Sequence, residues 1–144
     1  MWAHYGEGFS GFCLRFSAER LYKSLDSLNP DSTINCCTMK YSDKAVELDI
    51  TDCLDFSNVE FYKAIQQKHE QWIYEGELRF ISNVNGLHKY EPEALEALYI
   101  GSKMPEGKRK VLIALVRYYY PHVKVYEVSI YKATYNVVAK EIKI

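Results

Sequence analysis

Two glutamates and an arginine stand at alternate positions near the middle of the chain, at Glu75, Glu77 and Arg79. Side chains two residues apart in a strand share one face, so this spacing predicts a polar row opposite Leu78 and Phe80. Two interpretations are open. In the first, Arg79 forms an exposed salt bridge on a sheet surface, which contributes only ~0.2–1 kcal/mol. In the second, the three groups line a cleft, one carboxyl has a raised pKa, and Arg79 orients a carboxylate or a phosphate.

Aromatic residues accompany this polar row at two places in the sequence. Trp72 and Tyr74 directly precede it, and His4 and Tyr5 belong to an aromatic cluster near the first residue. We expect all four to form the walls of a binding cleft. The alternative for His4 is a hydrogen-bonded packing role. Because chain termini tend to be polar, the early cluster also indicates a surface that packs against a partner or a second copy of the chain.

Three further motifs have weaker functional interpretations. Residues Gly6–Gly11 match the pattern G-x-G-x-x-G, but they precede a strand, whereas a dinucleotide site needs a strand before the glycines and a helix after them. A tight turn is the better interpretation. The basic run Lys108–Lys110 either binds phosphate or forms a solvated helix face. His69, His88 and His122 lack a ligand spacing such as HxxxH, so no metal site is predicted.

Composition excludes several classes of protein. With 144 residues, 48% of them apolar and 26% charged, the chain has the balance of a globular protein, and we expect a single domain over residues 1–144. The net charge of −1 gives no bulk attraction to nucleic acid or to an anionic membrane, and no apolar run could span a bilayer. Four cysteines without CxxC spacing are typical of reduced thiols, so we expect a cytoplasmic location.

Hydrophobic periodicity predicts an α+β fold with a mixed, largely antiparallel sheet and about three helices. Ser17 is expected to cap the first helix, and Ser57 with Glu60 fits a capping box at the start of the second. Strands are predicted at residues 12–16, 34–41, 75–82, 95–101, 123–130 and 135–144, with a further candidate at 88–91. Helices are predicted over residues 18–28, from 57 to about 72, and from 105 to 120.

The chain resembles an uncharacterised bacterial and phage family of unknown function. The family pattern is W-x-H-Y-A, then G-x-C, then K…W-x-Y-E-x-E-x-R, and a late I-x-x-G strand. The matching segments are Trp2–Gly6, Gly11–Cys13, Lys68–Arg79 and Leu98–Gly101, with Gly6 in place of the usual alanine. Members usually begin with a further stretch, so the resemblance implies that this chain is the C-terminal portion of a longer family architecture or a shortened relative. It also favours a functional cleft over a plain salt bridge.

The full pattern is also distantly similar to the ADP-ribosyltransferase fold. On that analogy Glu77 orients the nucleotide ribose or acts as a general base, Glu75 is its upstream partner, and NAD is the implied cofactor. The resulting hypothesis is a domain that binds a nucleotide or another phosphorylated ligand, with glycosyl transfer from a dinucleotide as the reaction. The alternative is a non-catalytic interaction module of a phage or mobile-element defence system, which forms homo-oligomers through its aromatic N-terminus.

Overall fold

The computed structural model describes residues 2, 5–54, 59–131, 133–134 and 136–143, apart from the side chains of residues 53 and 54. Its contacts divide the chain into two compact units. We call residues Met1–Pro30 with Leu87–Ile144 the first unit, and Asp31–Gly86 the second unit. Single-domain behaviour of the whole chain stays a prediction.

Helices and strands are mixed along the chain, which confirms the predicted α+β class. In the described residues the strands are β1 (Phe12–Phe16), β2 (Ile34–Thr38), β3 (Lys40–Ser42), β4 (Gln67–His69), β5 (Leu78–Ser82), β6 (Leu95–Gly101), β7 (Lys124–Ile130) and β8 (Val137–Glu141). The α-helices there are α1 (Ala18–Leu28), α2 (Ile50–Leu54), α3 (Val59–Ile65) and α4 (Glu106–Tyr119). None of these helices has the length and apolar character that crossing a bilayer requires.

The first unit is built on a four-stranded sheet in the order β1-β6-β7-β8. The pairs β1–β6 and β7–β8 are antiparallel, whereas β6 and β7 are parallel and are connected through α4. Central strand β6 is apolar and mostly buried, as its sequence predicted. Its side chains form the core together with residues of α4 and β7. The buried core residues are Leu95, Leu98, Ile100, Val116, Val123 and Val125.

The predicted helix signals of the first unit are confirmed. The Ser17 hydroxyl accepts a hydrogen bond from the Arg20 amide at 3.4 Å and so caps α1. At the other end of α1, the Asn29 side chain donates to the Leu25 carbonyl at 2.7 Å. Helix α4 begins after Pro105, whose fixed φ suits that position.

The second unit consists of two short ladders, antiparallel β2–β5 and parallel β3–β4. Here two predicted elements are wrong. The helix expected to reach Trp72 ends at Ile65, and β4 follows it. The strand expected from Glu75 begins only at Leu78, because Gly76 turns the chain in the left-handed region.

Two predictions remain, one at Ser57 and one at residues 88–91. The capping box at Ser57 lies outside the described residues. Residues 88–91, which were a candidate strand, have no ladder partner among the described residues and lead instead into a 3-10 helix at Pro92–Ala94. Pro92 occupies the first turn of that helix, where its missing N–H costs nothing.

Candidate functional site

A sharp turn sets the geometry of the predicted site. A 3-10 helix covers Glu70–Glu75, and the ring of His69 caps it by accepting a hydrogen bond from the Gln71 amide at 3.2 Å. Gly76 ends the helix with φ of 53°, and its N–H donates to the Ile73 carbonyl at 3.2 Å. Glycine adopts this backbone conformation without the steric cost that a Cβ brings. The residues on its two sides are therefore not in one extended row.

Ion pairs bring the predicted polar residues together instead. The Lys68 ammonium donates to Glu75 and, at 3.0 Å, to Glu77 Oε2. The Arg79 guanidinium donates through Nε to Glu77 Oε1 and through Nη2 to Glu77 Oε2 at 3.3 Å. A further Arg79 nitrogen donates to the Ile65 carbonyl at 2.7 Å. We call Lys68, Glu75, Glu77 and Arg79 the Lys68 cluster.

Electrostatics in the cluster keep Glu77 ionised. Hydrogen bonds from Arg79 and then Lys68 lower the pKa of Glu77, so the rise expected for one of the two carboxyls does not occur at this residue. Hydrogen bonds to Glu75 and Glu77 raise the pKa of Lys68. Both groups are therefore ionised at neutral pH. With two cations and two carboxylates, the cluster has no net charge of its own.

Neighbouring aromatic residues hold the cluster in place. The Tyr41 hydroxyl accepts a hydrogen bond from the Glu77 amide at 2.9 Å. The Lys68 ammonium lies 5.4 Å from the centre of the Trp72 ring, within the range of a cation–π interaction. The Tyr74 ring is 5.9 Å from that of Trp72 and is 57% exposed. Trp72 and Tyr74 therefore lie beside the predicted polar groups, and both residues are partly exposed.

A hollow of about 280 Å³ opens beside Lys68 in the second unit. Among the residues that the structure describes, its lining includes three basic residues, Lys44, Lys68 and His69, and no acidic residue. Lys68 is thus shared between the hollow and the cluster. The other lining residues are Ser42, Ala45, Val46, Ala64 and Gln67.

Hydrogen bonds fix the loop that carries Lys44. The Gln67 side chain donates to the Lys44 carbonyl, and the Lys44 amide donates to the Ser42 hydroxyl at 3.0 Å. The His69 ring accepts at Nδ1, so in its neutral form it carries its proton on Nε2. Sequence analysis missed Lys44 and gave Lys68 no role, although Lys68 opens the motif that contains both glutamates. The position of Lys68 at the start of the motif that holds both glutamates was the available signal for Lys68; Lys44 had none.

The predicted aromatic residues near the first residue belong to the first unit. Tyr5 is 63% exposed and lines a largely apolar hollow of about 620 Å³ together with residues of β1 and α4. His4 lies outside the described residues. The participation of these two residues in one cleft with Glu77 stays a prediction.

The weaker motifs have structural roles in the described residues. The glycine-rich segment contains a 3-10 helix at Glu7–Phe9 and leads into β1, the arrangement of a turn rather than of a dinucleotide loop. In the basic run of α4, Arg109 pairs with Glu127 and Lys110 lies 3.6 Å from Glu106. No group of three metal-ligating side chains occurs among the residues that the structure describes.

Comparisons with known proteins identify the family and not the activity. No curated protein and no solved structure matches the chain. One family model, described as a protein of unknown function (DUF2971), matches residues 1–80, which is more than half of the chain. The matched residues contain the Lys68 cluster and the whole lining of the 280 Å³ hollow. The chain therefore belongs to DUF2971, a family of proteins of unknown function.

Proposed function

We propose that this protein binds a nucleotide or a similar phosphorylated ligand, with a phosphate group in the hollow beside Lys68. The observation that carries this proposal is the charge of the lining. The ionisable residues described in the lining, Lys44, Lys68 and His69, are all basic, and Ser42 adds a hydroxyl. Lysine ammonium groups are common phosphate ligands because they offer a compact positive charge and several donors.

Lys68 is prepared for this role by its carboxylate neighbours. Glu75 and Glu77 take two of its three N–H donors, which leaves one donor for a ligand. The same hydrogen bonds hold the side chain, only 19% exposed, in one position and keep it protonated. A ligand therefore meets a fixed charge and need not order a flexible lysine, whose rotamer freedom is costly to lose.

The size of the hollow limits what it can enclose. Ligand pockets usually span about 300–1,000 Å³, so 280 Å³ accommodates a phosphorylated sugar fragment rather than a whole dinucleotide. The base is proposed to stack outside the hollow on Trp72, which is 36% exposed, or on Tyr74, which is 57% exposed. Stacking of a base on an aromatic side chain contributes ~1–3 kcal/mol.

Glycosyl transfer from a dinucleotide such as NAD is the proposed reaction, by analogy with ADP-ribosyltransferases. Of the two roles predicted for Glu77, the lowered pKa favours the acceptance of a hydrogen bond from a ribose hydroxyl over proton abstraction, since a weakly basic carboxylate removes protons poorly. Glu75 is proposed to act with it by positioning Lys68.

Isothermal titration tests the binding proposal, with NAD, ADP-ribose and inorganic phosphate as separate probes. We expect Lys44→Met to weaken binding of ADP-ribose at least tenfold while leaving the cluster intact. Lys40→Met is the matched control, because Lys40 is an exposed lysine of the same unit outside the lining. Absence of heat with every probe, or equal weakening by both substitutions, contradicts the proposal.

Glu77→Gln separates the ribose role from phosphate binding. We expect it to weaken binding of ADP-ribose more than binding of inorganic phosphate, because phosphate has no ribose hydroxyl to lose. Equal heats for wild type and Glu77→Gln with ADP-ribose would remove the ribose role and leave the phosphate site standing. Circular dichroism checks that the variant is folded.

A non-catalytic interaction module is the second candidate, in the setting of phage or mobile-element defence. The observation that favours it is the exposure of large apolar side chains in the first unit, among them Tyr5 at 63% and Phe12 at 49%. Exposed apolar surface of this kind is typical of contact with another protein. Light scattering discriminates the two candidates, since a monomer at every concentration argues against the module.

A further inference from the structure

Strand β1 is an edge strand whose outer side can be located from two backbone hydrogen bonds. The Gly101 amide donates to the Gly11 carbonyl at 3.0 Å, and the Ser17 amide donates to the Ala94 carbonyl at 2.9 Å. Gly11 and Ser17 therefore direct their backbone groups toward β6. In an antiparallel ladder this direction alternates along the strand. The N–H and C=O groups of Phe12, Leu14 and Phe16 consequently point away from β6.

That outer side is open in the part of the chain that the structure describes, where β1 pairs only with β6. Phe12 is 49% exposed and Leu14 39% exposed. The Leu14 carbonyl has a long contact of 3.7 Å from the Cys13 thiol, which is a weak donor. Unpaired edge groups of this kind form a template for another strand.

The sequence of β1 has few of the features that usually protect an edge. Its one charged residue is Arg15, and it has no lysine and no proline; the extra residue where its pairing with β6 shifts is Glu96 of β6. The other edge strand, β8, carries the adjacent charged residues Lys140 and Glu141. Of the two edge strands of this four-stranded sheet, β1 is therefore the one with less protection.

We propose that β1 pairs antiparallel with β1 of a second copy of the chain, on a two-fold axis at Leu14. In this register Leu14 lies opposite Leu14 of the second copy, and Phe12 lies opposite the second copy's Phe16. The three residues of each strand whose backbone N–H and C=O groups point away from β6 then lie opposite one another, as antiparallel hydrogen bonding requires. The two four-stranded sheets become one continuous eight-stranded sheet.

Side chains across the proposed interface are compatible as well. Apolar Phe12, Leu14 and Phe16 meet only each other on one face. On the opposite face, Cys13 lies across from Arg15 of the second copy, so no like charges face each other. Arg15 itself is paired with Glu96 at 3.3 Å in the same chain. This self-complementarity selects a second copy over an unrelated strand.

The proposed contact is small, and its size sets its strength. Stable interfaces bury about 1,200–2,000 Å² in total, which is more than a ladder of five residues supplies. We expect a weak dimer whose population rises with concentration. Covalent crosslinking is therefore a suitable way to detect the dimer.

Disulfide trapping at the two-fold axis is the first test. In a variant with Cys13, Cys36, Cys37 and Cys53 replaced by serine, Leu14→Cys places two thiols in directly opposite positions. Hydrogen-bonded antiparallel pairs have Cα atoms about 5.5 Å apart, a distance that a disulfide spans. We expect a covalent dimer under mild oxidation. Val138→Cys on β8, where Val138 is 41% exposed, is the matched control and should stay monomeric.

Sedimentation velocity with charge substitutions is the second test. Leu14→Lys sets two ammonium groups opposite each other and should abolish concentration-dependent association, while Val138→Lys should leave it unchanged. Circular dichroism verifies that both variants fold. The proposal is overturned if the wild type stays monomeric and the Leu14→Cys variant forms no crosslink. It is also overturned if Val138→Lys abolishes the dimer and Leu14→Lys does not.

Discussion

Lys68 is the residue on which the candidate site depends, because it alone belongs to both the ion-pair cluster and the basic hollow. Its ammonium bonds Glu75 and Glu77 and lies against the face of Trp72. The alternate spacing of Glu75, Glu77 and Arg79 predicted that they share one face of a strand. In the structure Glu75 and Glu77 are close because both accept hydrogen bonds from Lys68, and not because they share one face of a strand.

The first prediction at this scale concerns pH. Because the folded-state pKa of Glu77 lies below its ordinary value of 4.5, its contribution to stability is complete above that value and is lost as pH falls through the folded pKa. Because the pKa of Lys68 is raised, its contribution is complete below 10.5 and is lost as pH rises through the folded pKa. Both contributions are therefore complete between pH 4.5 and pH 10.5.

Urea unfolding of wild type and Glu77→Gln measures this effect. At pH 7 we expect the substitution to cost roughly 1–2 kcal/mol, since it leaves Lys68 and Arg79 with weakened partners in a half-buried setting. The difference between the two proteins should shrink below pH 4.5. Glu47→Gln, at an exposed glutamate of the same unit, serves as the control. A cost that is independent of pH between 7 and 3 would contradict the ion-pair explanation.

At the scale of elements, the turn at Gly76 decides how the second unit presents its polar groups. The φ of 53° lies in the left-handed region, and a Cβ there would meet no atom within 4 Å. Any effect of an added methyl group is therefore conformational strain. We expect Gly76→Ala to lower the free energy of unfolding by about 1–2 kcal/mol.

A second glycine provides the matched control for that experiment. Gly107, in the first turn of α4, also has open space around an added Cβ but no positive φ. We expect Gly107→Ala to be neutral or to stabilise by up to about 1 kcal/mol, because alanine is the better helix former. Equal losses for both substitutions in chemical denaturation would show that strain at Gly76 is not the cause.

Elements with strong periodicity were predictable from sequence, and those set by a single turn were not. Strand β6 is an apolar run between polar segments, and α1 has both its serine cap and its apolar stripe, so local patterns determined both. Strand β4 has only three residues, too few to show any period. Gly76 was the visible sign that β5 starts late, but periodicity across Glu75, Glu77 and Arg79 suggested an extended chain.

At the scale of the whole molecule, the core of the first unit gathers most of the fully buried side chains described. Leu98 and Ile100 of β6 are completely buried. We expect Leu98→Ala to cost about 2–5 kcal/mol, through lost apolar burial and the cavity left behind. Leu78→Ala, at a leucine of β5 that is 40% exposed, should cost far less, and thermal unfolding can compare the two.

The fold class was predictable because composition and periodicity report on a core, whereas the candidate site depends on tertiary neighbours. Lys44 and Lys68 are 24 positions apart in sequence, and the parallel pairing of β3 with β4 is what brings their segments to one hollow. Parallel pairing of three-residue strands leaves no sequence pattern. The aromatic cluster near the first residue was visible, but its contacts could not be inferred from local order.

Pairing between β1 and β6 also has a consequence for synthesis on the ribosome. Phe12 pairs with Ile100, which lies 88 positions later in the sequence (100 − 12), so the sheet of the first unit cannot form until Ile100 has been translated. The second unit spans Asp31–Gly86, and all of its ladder partners emerge earlier. Closing so long a loop is slow, and a nascent chain meanwhile carries an unpaired apolar strand. We expect chaperone capture during translation to concentrate on residues 12–16.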